Sequence, residues 1–322
     1  MDNPITRAVL AGAGSAVVLM LAGMVMPKWL LFLSTMAISH GLVSLGIVLL
    51  MRSGVVSVGE GVVFAAGGYA AALLARHAGV TDALVLTLGG GMVAALLALP
   101  FAPLLSRYRG IFFAMLTLAI SMVLYGVLVK SETMGGSDGF NVSRPTLLGA
   151  EVSAEGANFA LYAVAVGLVS ILATVARIYG DSVRGLVSLA IRENELRVEY
   201  LGVSVSRAIA VNYVFAAFLG GIGGALTVLA LGHIEPNFSY WTTSGEFVFV
   251  AILAGHHSML AVFLASFLVE VVRSFSNLYF PNTWQLAMGL FLLVVIRFLP
   301  RGLGSLWMDR LAARRARKEA RT

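Results

Sequence analysis

Cysteine is absent from this 322-residue chain, and only 12% of its residues are charged. Without cysteine there is no disulfide framework and no thiolate metal site. Soluble domains carry about 25% charged and about 45–50% apolar residues. Here the apolar share is 59%, so an ordinary water-soluble enzyme is the first class excluded. Disorder goes with it, because disordered chains are poor in apolar residues. Phosphate-cradling motifs are missing as well. No Gly-x-x-x-x-Gly-Lys-Ser/Thr occurs, and no Gly-x-Gly-x-x-Gly follows a strand pattern, so the chain has no such loop for ATP. The glycine clusters Gly89–Gly91 and Gly220–Gly224 lie inside apolar stretches, where small residues let helices approach closely. His40 and His77 stand alone, and the neighbours His256 and His257 cannot present both rings on one helix face, so no metal site is expected.

The net charge of +6 comes from 22 cations and 16 anions. From Arg297 onward there are eight cations (Arg297, Arg301, Arg310, Arg314, Arg315, Arg317, Lys318 and Arg321) against Asp309 and Glu319, which leaves fourteen of each sign before them. The excess therefore sits in a short C-terminal tail, which reads as an Arg-rich end lying on anionic headgroups. A nucleic-acid partner is not implied.

Long apolar runs fill the rest. A membrane-spanning helix needs about 20 mostly apolar residues, and such stretches occur at 8–26, 29–51, 54–75, 83–105, 111–129, 159–177, 208–232, 258–276 and 284–300. A tenth, 246–255, is too short to cross alone and reads as a half-helix or, with Trp241–Gly245 added, a marginal span. The first stretch follows Arg7 but is long for a signal sequence and lacks a small-x-small cleavage site, so an uncleaved span is expected. The chain is read as an all-α polytopic membrane protein with about nine full transmembrane helices plus one short or half-spanning helix. With ten crossings and the N-terminus inside, seventeen cations lie on the cytoplasmic side and five (Lys28, Arg76, Lys130, Arg144, Arg273) outside. The positive-inside rule then places both termini in the cytoplasm. Residues 1–300 form the transmembrane domain, with an outer loop at 130–158, an inner loop at 178–207 and a basic tail at 301–322.

The inner loop is the most charged stretch before the tail. Asp181 or Ser182 suits a helix start and Gly202 a left-handed stop. Between them, Glu193 and Arg197 make a favourable i,i+4 pair, with Leu186, Ala190 and Leu201 on an apolar face opposite Arg192, Glu193, Glu195 and Glu199. That pattern fits a solvated interfacial helix or a docking helix for a cytoplasmic partner. Glu60 falls within the third apolar stretch, where a carboxylate costs at least ~2–3 kcal/mol. Such a group faces a cavity or a partner, or stays protonated. It lines a translocation path with Ser57 and Tyr69, or makes a structural hydrogen bond to a neighbouring helix. Glu246 and Glu270 lie nearer span ends, and ordinary interfacial solvation is expected for both.

Ala190-Ile191-Arg192-Glu193-Asn194-Glu195, followed seven residues later by Gly202, resembles the cytoplasmic loop of the LivM-type permeases, the inner-membrane subunits of branched-chain amino-acid ABC importers. Gly54-Val-Val-Ser57-Val-Gly59, with Phe64 and Gly68-Tyr69 beyond it, resembles that family's glycine-serine span. Met134-Gly135-Gly136-Ser137-Asp138-Gly139 resembles its outer turn, and Phe298-Leu-Pro300-Arg301-Gly302-Leu303 its C-terminal ending. The resemblance runs from about residue 30 to 306. Departures from the family pattern fall at Glu60, at Ala254-Gly-His256-His257-Ser258 and at Arg184-Gly185, where the order is reversed.

The resemblance implies a permease without chemistry or cofactor of its own, ATP being bound by partners. It pairs with a second permease subunit, alike or different, two cytoplasmic ATPases and a periplasmic binding protein. Ala190–Glu195 and Gly202 would couple to the ATPase. The turn with Gly135, Gly136 and Asp138 either reverses the chain tightly or contacts the binding protein. Substrates in such families include branched-chain amino acids, urea and amides, and aromatic carboxylates. A different class is a stand-alone proton-coupled secondary transporter using Glu60. It calls for matched broken helices in the two halves, and the short 246–255 segment has no evident counterpart in the first half. An intramembrane enzyme lacks a paired nucleophile and base.

Overall fold

A computed structural model of the chain describes residues 4–147, 149, 156–255, 260–279, 281, 283–298 and 302–304. His256 and His257, and all but residues 302–304 of the basic tail, lie outside the described residues. The apolar stretches fold as helices: α1 (Pro4–Val25), α2 (Lys28–Arg52), α3 (Glu60–His77), α4 (Ala83–Leu105), α5 (Gly110–Lys130), α6 (Ala157–Asp181), α7 (Val183–Glu193), α8 (Glu195–Tyr200), α9 (Val205–Leu231), α10 (Trp241–Ala254), α11 (Leu260–Tyr279) and α12 (Trp284–Phe298). Among the described helices, α1, α2, α4, α5, α6, α9 and α11 are long and apolar enough to cross a membrane, while α10 and α12 are shorter. Local chemistry sets the ends. Pro27 interrupts the first long run before α2, and the Asp82 carboxylate caps α4 by accepting from Leu84 N and Val85 N at 2.9 and 3.2 Å.

The bundle is centred on α9, against which α2, α3 and α4 pack. With no hydrophobic drive between helices in lipid, close backbone approach supplies the attraction. The expectation drawn from the glycine clusters holds here. A Cβ on Gly67 would lie 2.1 Å from the Gly221 carbonyl oxygen, and one on Gly224 would lie 1.9 Å from that of Phe64, so α3 and α9 meet backbone to backbone.

One end of the bundle carries a small clasp. Here β1 (Phe140–Asn141) pairs antiparallel with β2 (His233–Ile234), Phe140 opposite Ile234 and Asn141 opposite His233. The other end carries the elbow formed by α7 and α8.

The stretch at 54–75 is not one helix. After α2 ends, Ser53–Gly59 runs without helical structure and α3 begins at Glu60. Gly59 lies against Thr117 in the middle of α5, leaving a Cβ only 2.0 Å from the Thr117 carbonyl oxygen, and Val58 N donates to Thr117 Oγ1 at 3.2 Å. Non-helical backbone at bilayer depth survives where protein covers it, and Ser53, Val55, Ser57 and Gly59 are buried. The second half mirrors this. From β2 the chain turns back through a short 3-10 turn at Pro236–Ser239 into α10, whose 14 residues span roughly 21 Å. Residues 241–245 are thus helical, and the helix stays shorter than the about 20 residues a crossing needs. Ser121 Oγ donates to the Ser239 carbonyl at 2.7 Å, and Gly61 N donates to Ser244 Oγ at 2.9 Å. The N-termini of α3 and α10 therefore meet inside the bundle. The missing counterpart of the short segment exists after all, as the broken α2–α3 junction.

Candidate functional site

Glu60 is the first residue of α3, not a mid-helix residue, and it is 1% exposed. Its Oε2 faces Gly220, near the midpoint of α9. An acidic group here benefits from the positive end of the helix dipole. The Ser57 hydroxyl neighbours the carboxyl, yet neither Ser57 Oγ nor Glu60 Oε1 completes a hydrogen bond. Tyr69 does not join them: it sits nine residues further along α3, roughly 14 Å away, with its ring against Phe140 and its hydroxyl buried without a partner. Beside this centre, Phe64 packs against Phe238 and Phe247 with ring centroids 5.3 and 4.9 Å apart, which closes the core with aromatic surface.

At the elbow, the single helix expected over 182–202 is broken. Asn194 ends α7 and caps α8, its Oδ1 accepting from Arg197 N at 3.0 Å. The break puts Glu193 and Arg197 on different helices, and the carboxylate that pairs is Glu195, held in a forked contact by Arg109 Nε and Nη2 at 2.9 and 2.6 Å. Gly202 takes the left-handed conformation at φ 81°, as its position at the helix stop suggested. The apolar side is also reassigned. Gly185, Ser188, Ile191 and Val198 are buried, whereas Leu186, Ala190, Leu196, Tyr200 and Leu201 are exposed, the last two at 89% and 79%. Arg192, Glu193 and Asn194 are exposed beside them. An apolar patch rimmed with mixed charge is the anatomy of a protein-docking surface.

Beneath the elbow lies a residue that sequence reasoning passed over. Asn212, on α9, is buried, and its Nδ2 donates to Ser188 Oγ of α7 at 2.9 Å and to Ser53 Oγ of the broken junction. Its Oδ1 accepts from the Tyr179 hydroxyl of α6. One side chain thus ties α6, α7, α9 and the α2–α3 junction together. Its signal in the sequence is a lone amide inside an apolar run. Arg52 Nη2 adds a 3.0 Å bond to the Gly180 carbonyl next to it.

At the clasp end, Gly135, Gly136 and Gly139 all have positive φ, and a Cβ on Gly139 would collide with the Ile234 carbonyl. The glycines make a tight reversal fastened to β2. Asp138 is exposed at its tip, accepting from Ser137 Oγ at 2.9 Å. Glu246 and Glu270 are not simply solvated as expected. Arg273 reaches Glu246 at 3.1 Å and Glu270 at 3.9 Å, and His40 Nδ1 lies 3.2 Å from Glu270 Oε2.

The family model described as "Branched-chain amino acid transport system / permease component" matches residues 29–297. Similar proteins include the high-affinity branched-chain amino acid transport system permease protein LivM of Escherichia coli (strain K12). It is 29% identical over 294 residues, covering 84% of this chain and 69% of that one. The protein of the same description from Salmonella typhimurium (strain LT2) matches to the same extent. No solved structure matches the chain.

Proposed function

Because the chain belongs to the branched-chain amino acid transport permease family, we propose that it forms half of the translocation path of an ATP-driven importer in the bacterial inner membrane. A periplasmic binding protein delivers a branched-chain amino acid or a related small polar solute, and two ATPases dock on the elbow, which is then the cytoplasmic side. The observation that carries this reading is the elbow itself: an exposed apolar patch joined through Asn212 to the broken α2–α3 junction. Movement of α7 is thereby passed to Ser53 and on towards Ser57 and Glu60, which line the path. Tyr69 contributes nearer the clasp, and Asp138 with the Gly135-Gly136 turn offers the binding-protein contact. By linkage, a loaded binding protein outside must favour the ATP-bound state inside.

Glu193→Arg tests the docking role. It should abolish solute-stimulated ATP hydrolysis while the complex still assembles, and normal stimulation would refute the assignment. A proton-coupled secondary transporter using Glu60 is the second reading, favoured by the meeting of two half-helix N-termini. Purification of the native complex separates the two, because only the importer brings stoichiometric ATPase subunits with it.

A further inference from the structure

Between α2, α9, α10, α11 and the arm that follows β2 lies a cavity of about 380 Å³, within the range of small-molecule sites at about 300–1,000 Å³. It occupies the clasp-end half of the bundle and reaches inward to the ring of Phe64. Glu246, Glu270 and Arg273 line it, and all three lie on helices that the fold places among the apolar elements. Ionisable groups at such positions are costly and are retained for solute or ion pathways. Glu235 adds a third carboxylate, bonded to Asn237 Nδ2 at 3.3 Å.

The charges do not cancel. Arg273 bridges Glu246 and Glu270, and with Glu235 the lining holds three carboxylates and one guanidinium. Protonation of His40, which already contacts Glu270, would neutralise one more and still leave an excess of negative charge. The same lining carries apolar side chains, Phe32, Met36 and Phe238. An entering solute therefore meets carboxylates that accept from an ammonium, a guanidinium fork that receives a carboxylate, and aromatic surface for an apolar body. Urea leaves the charges unused, and an aromatic carboxylate meets net repulsion.

We propose that this cavity is a solute-binding site of the permease itself, in which Glu246 and Glu270 hold the ammonium and Arg273 the carboxylate of a zwitterion with an apolar side chain, above the Phe64–Phe238 closure. The proposal deepens the importer reading and rests on it for which half faces outward. The test uses the complex in lipid nanodiscs without the binding protein, with labelled leucine as probe. Expected are saturable leucine binding, competition by isoamylamine that is stronger than by 4-methylpentanoate, and no competition by urea. Glu246→Gln should weaken leucine by about tenfold or more, the size of losing one charge-assisted contact. Ser274→Leu narrows the cavity without touching an ion pair and should weaken leucine at least as much, with size-exclusion profiles unchanged in both variants. Wild-type affinity in both variants, equal competition by the amine and the acid, or no saturable binding would overturn the site. Failure of ATPases to co-purify would strike the importer reading instead, leaving saturable binding that is weakened in Glu246→Gln as support for the site.

Discussion

Asn212 on α9 donates a 2.9 Å hydrogen bond to Ser188 on α7, so the helix exposed at the elbow is fastened to the centre of the bundle by one buried amide. The same amide serves Ser53 and Tyr179. An amide that serves two buried serine hydroxyls and a half-buried tyrosine is costly to remove, because buried partners keep their desolvation penalty when a bond is lost. The elbow and the broken junction consequently move as one unit or separate at a cost.

Asn212→Leu should destabilise the protein by about 2–3 kcal/mol and should uncouple the elbow from the core. The expected result is a lower thermal midpoint in detergent together with ATP hydrolysis that no longer responds to solute. Asn212→Leu with unchanged stimulation would mean the relay runs elsewhere.

Arg109 and Glu195 form the forked pair that holds α8 against the start of α5. Both side chains are about one-third exposed, so solvent screens the pair and its coupling energy should be about 0.5–1 kcal/mol. A double-mutant cycle on Arg109→Ala and Glu195→Ala, read by thermal unfolding, checks this. The reversed pair Arg109→Glu with Glu195→Arg should recover part of what either single reversal loses.

How far the sequence carried this picture depends on the kind of signal. Hydropathy located every long apolar helix, because lipid imposes a length and a composition on each. The family resemblance and the left-handed Gly202 were legible for similar reasons, being local. The breaks at Gly59 and Asn194 were not, since nothing local announces what packs beside them: the Thr117 carbonyl against Gly59, and Arg109 against Glu195 at the start of α8. Tyr69 and Glu60 share a motif, but helical rise separates them. Glu246 and Glu270 looked like interfacial carboxylates because nothing local announces that Arg273 and His40 will fold onto them.

Gly67 and Gly126 give a matched test of close helix packing. A methyl on Gly67 meets the Gly221 carbonyl, whereas one on Gly126 of α5 meets nothing within 4 Å. Gly67→Ala should therefore cost more than about 2 kcal/mol, as overpacking does where backbone cannot yield, and should lower the yield of folded protein. Gly126→Ala should be neutral or gain up to about 1 kcal/mol from helix propensity. Equal thermal midpoints for the two variants would contradict the backbone contact between α3 and α9.

Glu60 is buried at the first turn of α3 with Oε1 unpartnered, beside Ser57 and facing Gly220. A carboxyl kept solely for stability would complete its hydrogen bonds, since an unsatisfied buried acceptor costs about 1–3 kcal/mol. Glu60→Gln preserves the shape and removes the charge. The variant should fold with a thermal midpoint equal to or above that of the parent, yet transport more slowly in proteoliposomes. Gly61 N and Ser244 Oγ, which join α3 to α10 next to it, remain in place in that variant, so a loss of transport would report on the carboxyl and not on the joint. Transport equal to the parent at both acidic and neutral pH would remove Glu60 from the path and, with it, the proton-coupled reading.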